Sequence, residues 1–136
     1  MQENYQSCEL VTVLKELTEN LMWMSETDAP IQVFCWKNGG VIPSNEQLLE
    51  QTQHSKTTPV EVVEVDQFFA PVVTEQDWFE EEERETAAKY RALLSILREH
   101  LTDLKVYRVG AVEIDVYVVG LSEENVIGIA TQVVET

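Results

Sequence analysis

The chain is poor in the side chains that most often do chemistry. It has two cysteines, Cys8 and Cys35, and two histidines, His54 and His100, and it sets nine lysines and arginines against 25 aspartates and glutamates. Two thiols so far apart fit neither the spacing of a zinc site nor a Cys-x-x-Cys redox pair, so both read as reduced core thiols. The formal charge of −16 leaves no surface able to neutralise phosphates, which excludes nucleic acid as a direct ligand. With five glycines, the chain holds neither a phosphate-cradling loop nor a Gly-x-Ser-x-Gly nucleophile elbow. Residues 1–6 have no basic start, and no apolar run approaches the ~20 residues of a membrane span, so the expectation is a soluble, cytoplasmic protein.

Apolar residues are present in force. A hydrophobic content of 44% sets the chain apart from disordered acidic proteins, which lack the apolar surface to form a core. Its 136 residues predict one domain, 1–136, burying roughly two thirds of its unfolded surface. The negative charge favours a cationic protein partner, whose approach it would steer, with solubility alone as the other reading.

Leu10, Leu14, Leu17 and Leu21 recur at helical spacing and predict an amphipathic helix from Ser7 to about Trp23, ended by the turn before Pro30. Ile31 to Trp36 reads as a strand, followed by an Asn38-Gly39-Gly40 turn. Ser44 with Gln47 has the form of a capping box opening a helix to about Gln53. Val60 to Val65 reads as a strand, and Asp66 to Pro71 as a turn or single helical turn plugging Phe68 and Phe69 into the core. Thr74 is the expected cap of a long helix reaching Leu101, with Asp77 and Trp78 in its first turn. Lys105–Arg108, Val112–Val119 and Val126–Val134 form an antiparallel meander, turning at Gly110 and again over Gly120–Asn125. In the middle strand Val112, Ile114, Val116 and Val118 share one face, and Glu113, Asp115, Tyr117 and Val119 the other. The order predicts an α+β fold, a sandwich with its sheet in the middle.

The acidic run Glu80–Glu83 is a solvated helix face rather than a metal site, because adjacent helical positions diverge too far to share one ion. Acids there also suit the helix dipole. Glu113 and Asp115 point to one face of a strand and, with His54 or His100, make a hydrolase the enzymatic alternative. Trp78 ringed by acids reads as an interface anchor. The sequence closes at Val133-Val134-Glu135-Thr136 directly after a strand, and a terminal carboxylate held there would suit a hard cation in another protein's site.

Met24-Ser25-Glu26, the Gln32–Trp36 strand, Gln76-Asp77-Trp78, the strands Val106–Arg108 and Val116–Val118, and the closing Val133–Thr136 together resemble the cyanobacterial nuclease A inhibitor family, from about residue 17 onward. The resemblance implies a three-layer α/β/α sandwich with a central, mainly antiparallel sheet, similar to plant pathogenesis-related proteins. It implies inhibition of a sugar-nonspecific ββα-metal nuclease by a monomer in a 1:1 complex. Thr136 and Glu26 would face the partner's magnesium, Asp77 and Trp78 would anchor the interface, and Glu75 and Glu135 would join them as contact acids. The magnesium belongs to the nuclease, and the chain itself is expected to carry no cofactor and no catalytic residue. Cys35 stands where the family suggests an aliphatic residue. An acidic interaction module for another basic partner is the alternative that keeps the same surface.

Overall fold

The computed structural model describes residues 7–23, 28–37, 40–122 and 125–135. Helix α1, Ser7–Thr18, seats Leu10 and Leu14 with no exposure. It stops earlier than its leucine spacing suggests. The Thr18 hydroxyl donates back to the Leu14 carbonyl oxygen (2.8 Å), and Asn20 takes a left-handed φ of 67°, a conformation that asparagine tolerates better than most residues. Met22–Trp23 (β1) then pairs antiparallel with Ala29–Pro30 (β2). Trp23 leaves the helix because the core takes it: it stacks on Phe68 at 4.3 Å and meets Phe69 and Tyr90 edge-on.

Five strands form the main sheet: Gln32–Lys37 (β3), Val60–Val63 (β4), Thr102–Val109 (β5), Glu113–Ser122 (β6) and Asn125–Val134 (β7). Their spatial order is β3-β7-β6-β5-β4, and every pairing is antiparallel. The meander is longer than its β-branched segments alone suggest. Gly120 lies inside β6 rather than in the turn, where the side chains of Leu101 and Leu104 press so close that a Cβ would stand 2.7 Å from Leu101 Cβ. Gly110, at φ 115°, makes the β5–β6 turn, and Val112 falls in that bend, exposed, rather than on the strand's inner face.

Alternation along β6 divides the core. Ile114, Val116 and Val118 face one side, packed with Val106, Ile127 and Ile129 under α1, under α3 (Val65–Val73) and under α4 (Glu81–His100). Val119, Tyr107, Val109 and Val126 face the other side, where Leu48 and Leu49 of the short helix α2 (Asn45–Gln51) cover them. Helices on both faces of an antiparallel sheet give the α/β/α sandwich. The α2 capping box is present, with Gln47 N–H donating to Ser44 Oγ and Ser44 N–H to Gln47 Oε1.

Three further expectations are corrected. The segment after β4 is a full nine-residue helix, α3, with Pro71 inside it, because burying Phe68 and Phe69 side by side holds the whole stretch. Thr74 does not cap α4: its hydroxyl donates back to the Ala70 carbonyl oxygen at 2.7 Å and closes α3. The long helix begins instead at Glu81, after Glu80, whose N–H donates to Glu83 Oε1 (3.1 Å). Cys35 is exposed, because β3 is an edge strand. The side chain of Cys8 lies outside the described residues.

A candidate partner-binding end of the sandwich

Two of the proposed contact residues, Glu26 and Thr136, lie outside the described residues, and the structure gives only the strands on either side of Glu26 and the strand before Thr136. The β1–β2 hairpin lies against the final strand, since the Thr131 hydroxyl donates to the Pro30 carbonyl oxygen at 3.0 Å. On its other side the Tyr90 hydroxyl of α4 donates to the Met22 carbonyl oxygen at 2.6 Å. Burial, with the charge of Asp28 behind it, pushes the Tyr90 phenol up to about 12. A neutral, buried donor therefore ties the hairpin to α4 throughout the physiological range.

The sheet ladder of β7 ends with Val134 opposite Glu113. Glu135 lies one residue beyond it and is nonetheless held twice. Its N–H donates to the Val112 carbonyl oxygen (2.9 Å), and its Oε2 lies 2.7 Å from Arg108 Nη2. Arg108 also approaches Glu61 of β4, with Nε 3.3 Å from Oε1.

Asp77 and Trp78 occupy the turn between α3 and α4, not the first turn of the helix. Trp78 is 70% exposed, the most exposed large apolar side chain among the described residues, and meets Phe79 edge-on, with ring centroids 4.7 Å apart. A side chain of that size left in water among Asp77, Glu80 and Glu81 is the pattern of an interface anchor. Glu75, at the head of the same turn, pairs with Arg91 (3.0 Å) and more loosely with Arg84 (3.8 Å). Arg91 also donates to the Val73 carbonyl oxygen at 2.9 Å, so the turn that presents Trp78 is tied to α4. Only Leu101 separates α4 from β5. Glu75 and Glu135, expected as contact acids, thus each have an arginine of this chain as partner.

The family model described as nuclease A inhibitor-like protein matches residues 8–136. The chain belongs to that family. The match reaches further than the motifs around residue 17 onward, taking in nearly all of α1. Membership implies a role as nuclease inhibitor, and with it a nuclease as partner. No curated protein matches the chain significantly in sequence.

The enzymatic alternative finds some of its parts together and others spent. His54 Nε2 lies 2.7 Å from Asp115 Oδ2, and its Nδ1 lies 2.7 Å from Thr52 Oγ1, in a cleft of about 400 Å³ that Tyr117, Thr131 and Gln132 also line. The Thr52 hydroxyl, the nearest nucleophile, is 2.7 Å from the Leu48 carbonyl oxygen, to which it donates to close α2. Gln132 takes up the other oxygen of Asp115 at 3.2 Å. Glu113 is exposed at the start of its strand, and His100 lies at the end of α4 beside Glu99. The constellation is a set of hydrogen bonds joining the end of α2 to the sheet. Among the described residues, no group of three or more His, Cys, Asp or Glu side chains could hold a metal. Nor, among them, is any helix long and apolar enough to cross a membrane.

Arg91 and Arg108 were absent from the site drawn from sequence. For Arg108 a signal was available: in a chain with nine basic residues, it interrupts an apolar strand, Val106-Tyr107-Arg108-Val109, where a charge needs a partner.

Proposed function

We propose that the chain is a non-enzymatic inhibitor of a sugar-nonspecific ββα-metal nuclease, acting as a monomer in a 1:1 complex in the cytoplasm. In this reading Trp78 and Asp77 dock first, and Thr136 and Glu26 offer oxygen ligands to the nuclease's magnesium. Magnesium accepts hard oxygen donors and gives up its waters slowly, so filling its open positions would keep phosphate out without any reaction on the inhibitor. The acids of the 75–85 segment would meet the basic groove that otherwise holds nucleic acid, raising the encounter rate more than the final affinity. The observation that carries the reading is the exposed Trp78, set in an acidic turn that internal ion pairs hold in place, in a chain of this family.

The test is a DNA-cleavage assay with a ββα-metal nuclease and increasing amounts of the chain. Stoichiometric loss of cleavage supports the proposal. Undiminished cleavage at excess would favour an acidic interaction module for a different basic partner.

A further inference from the structure

We propose that the cleft between β2 and the end of α2 is a binding site for a guanidinium group, carried by an arginine side chain or by a small guanidine. The site goes beyond nuclease inhibition, since it uses none of the residues of the Trp78 turn.

The sheet makes its floor. Ala130 of β7 stands opposite Gln32 of β3 and Tyr117 of β6, and two residues along the strand Gln132 stands opposite Asp115. Side chains two apart on a strand share a face, so Tyr117 and Asp115 project together on the α2 side. Ala130 brings only a methyl group to a row that otherwise holds a glutamine and a tyrosine, and so leaves a depression. Thr52 and His54 wall it from the end of α2, and Ala29 and Pro30 from β2, around a volume of about 400 Å³.

Asp115 is the only carboxylate of that lining, and no lysine or arginine belongs to it. Its oxygens are steadied from two sides, Oδ2 by His54 at 2.7 Å and Oδ1 by Gln132 at 3.2 Å, yet the side chain is still 36% exposed. A carboxylate has about four acceptor positions, so two remain for a ligand. The chain's own arginines are engaged elsewhere: Arg84 and Arg91 with Glu75, Arg98 with Asp66, and Arg108 with Glu61 and Glu135. A guanidinium suits what is left better than an ammonium does. Its planar fork can reach both oxygens at once, its plane can lie against the Tyr117 ring, and an alkyl stem would cover Ala29, Pro30 and Ala130. The net charge of −16 draws cations toward the site and turns anions away.

The decisive measurement is the amide NMR spectrum of the full chain titrated with methylguanidinium and, at matched ionic strength, with methylammonium. Methylguanidinium should shift the amides of Asp115, Tyr117, Thr131 and Gln132 saturably, and should bind about tenfold more tightly than methylammonium, the scale of one charge-assisted hydrogen bond. Asp115→Asn should abolish that preference. So should Ala130→Leu, which fills the floor and leaves every charge in place, and which decides the matter if the first variant does not fold. A protonated His54 would supply the positive charge from within, so binding should weaken as the pH is lowered from about 8 to about 5. Free arginine and arginine blocked at both ends separate the two sources: binding of the blocked form admits a protein side chain, and binding of free arginine alone assigns the site to a small guanidine. Equal binding of the two cations, or a preference that survives Ala130→Leu, would overturn the proposal. Nuclease inhibition by the same variants should be unchanged, so this site and the inhibitory reading fail separately.

Discussion

The imidazole of His54 spans the gap between α2 and the sheet, with Nε2 2.7 Å from the Asp115 carboxylate of β6. The ring is edge-on to Tyr117, and the same carboxylate is held from β7 by Gln132. Helix α2 has only seven residues, too short to be stable alone, and the contacts of Leu48 and Leu49 together with this bridge hold it.

His54→Ala should accordingly destabilise the fold by about 1–3 kcal/mol, the cost of leaving a partly buried carboxylate without one of its partners. Denaturant unfolding measures the loss. Inhibition per folded molecule should be unchanged, and a hydrolytic activity that disappeared with His54 would instead revive the enzymatic reading.

The tyrosines predict how stability ends at alkaline pH. Burial raises the phenols of Tyr107 and Tyr117 above 10, with Asp115 adding to the effect at Tyr117, and Tyr90 is pushed up to about 12. Below pH 10 these groups are protonated folded and unfolded alike, and the pH has no purchase on them. Above it the unfolded chain loses protons that the folded chain keeps, so stability falls as pH rises from about 10 toward 12. Tyr90→Phe should flatten that fall while losing the hydrogen bond to Met22, and unfolding followed from pH 8 to 12 would show it.

Trp78→Ala should leave stability within about 0.5 kcal/mol, because the ring is mostly in water. Its cost to nuclease binding should be about 2 kcal/mol or more, the scale of an aromatic anchor. Calorimetric titration separates the two. A binding loss no larger than that of Glu82→Gln would remove Trp78 from the centre of the interface.

Arg91→Gln should lie between these cases. It frees the Glu75 carboxylate and the Val73 carbonyl together, loosening the turn that carries Trp78. Binding should weaken through a faster dissociation rate, with thermal unfolding little changed because exposed ion pairs contribute at most about 1 kcal/mol. Kinetic binding curves check this.

Much of the architecture was legible because it rests on period alone. The alternation from Glu113 to Val119 gave both faces of β6 correctly, and Ser44 with Gln47 marked the start of α2 through a bond that is present. What misled was local chemistry overruled by packing. Thr74 looks like a helix cap but bonds backward, and Trp23, expected at the end of the first helix, is instead drawn out into an aromatic stack. Gly120 looks like a turn and is a strand residue that makes room for Leu101. At the candidate site the exposure of Trp78 agrees with its acidic setting. Which acids Arg91 and Arg108 pair with was not legible, since partners so distant in sequence are joined only by the sheet and by the packing of α3 on α4.

The central claim is that Thr136, not overall acidity, does the inhibiting. Its most direct measurement is the inhibition constant of the chain lacking Thr136 beside that of Glu82→Gln, against a ββα-metal nuclease in magnesium. The account predicts a large loss for the deletion and almost none for the neutralised helix acid; equal losses for the two would contradict it.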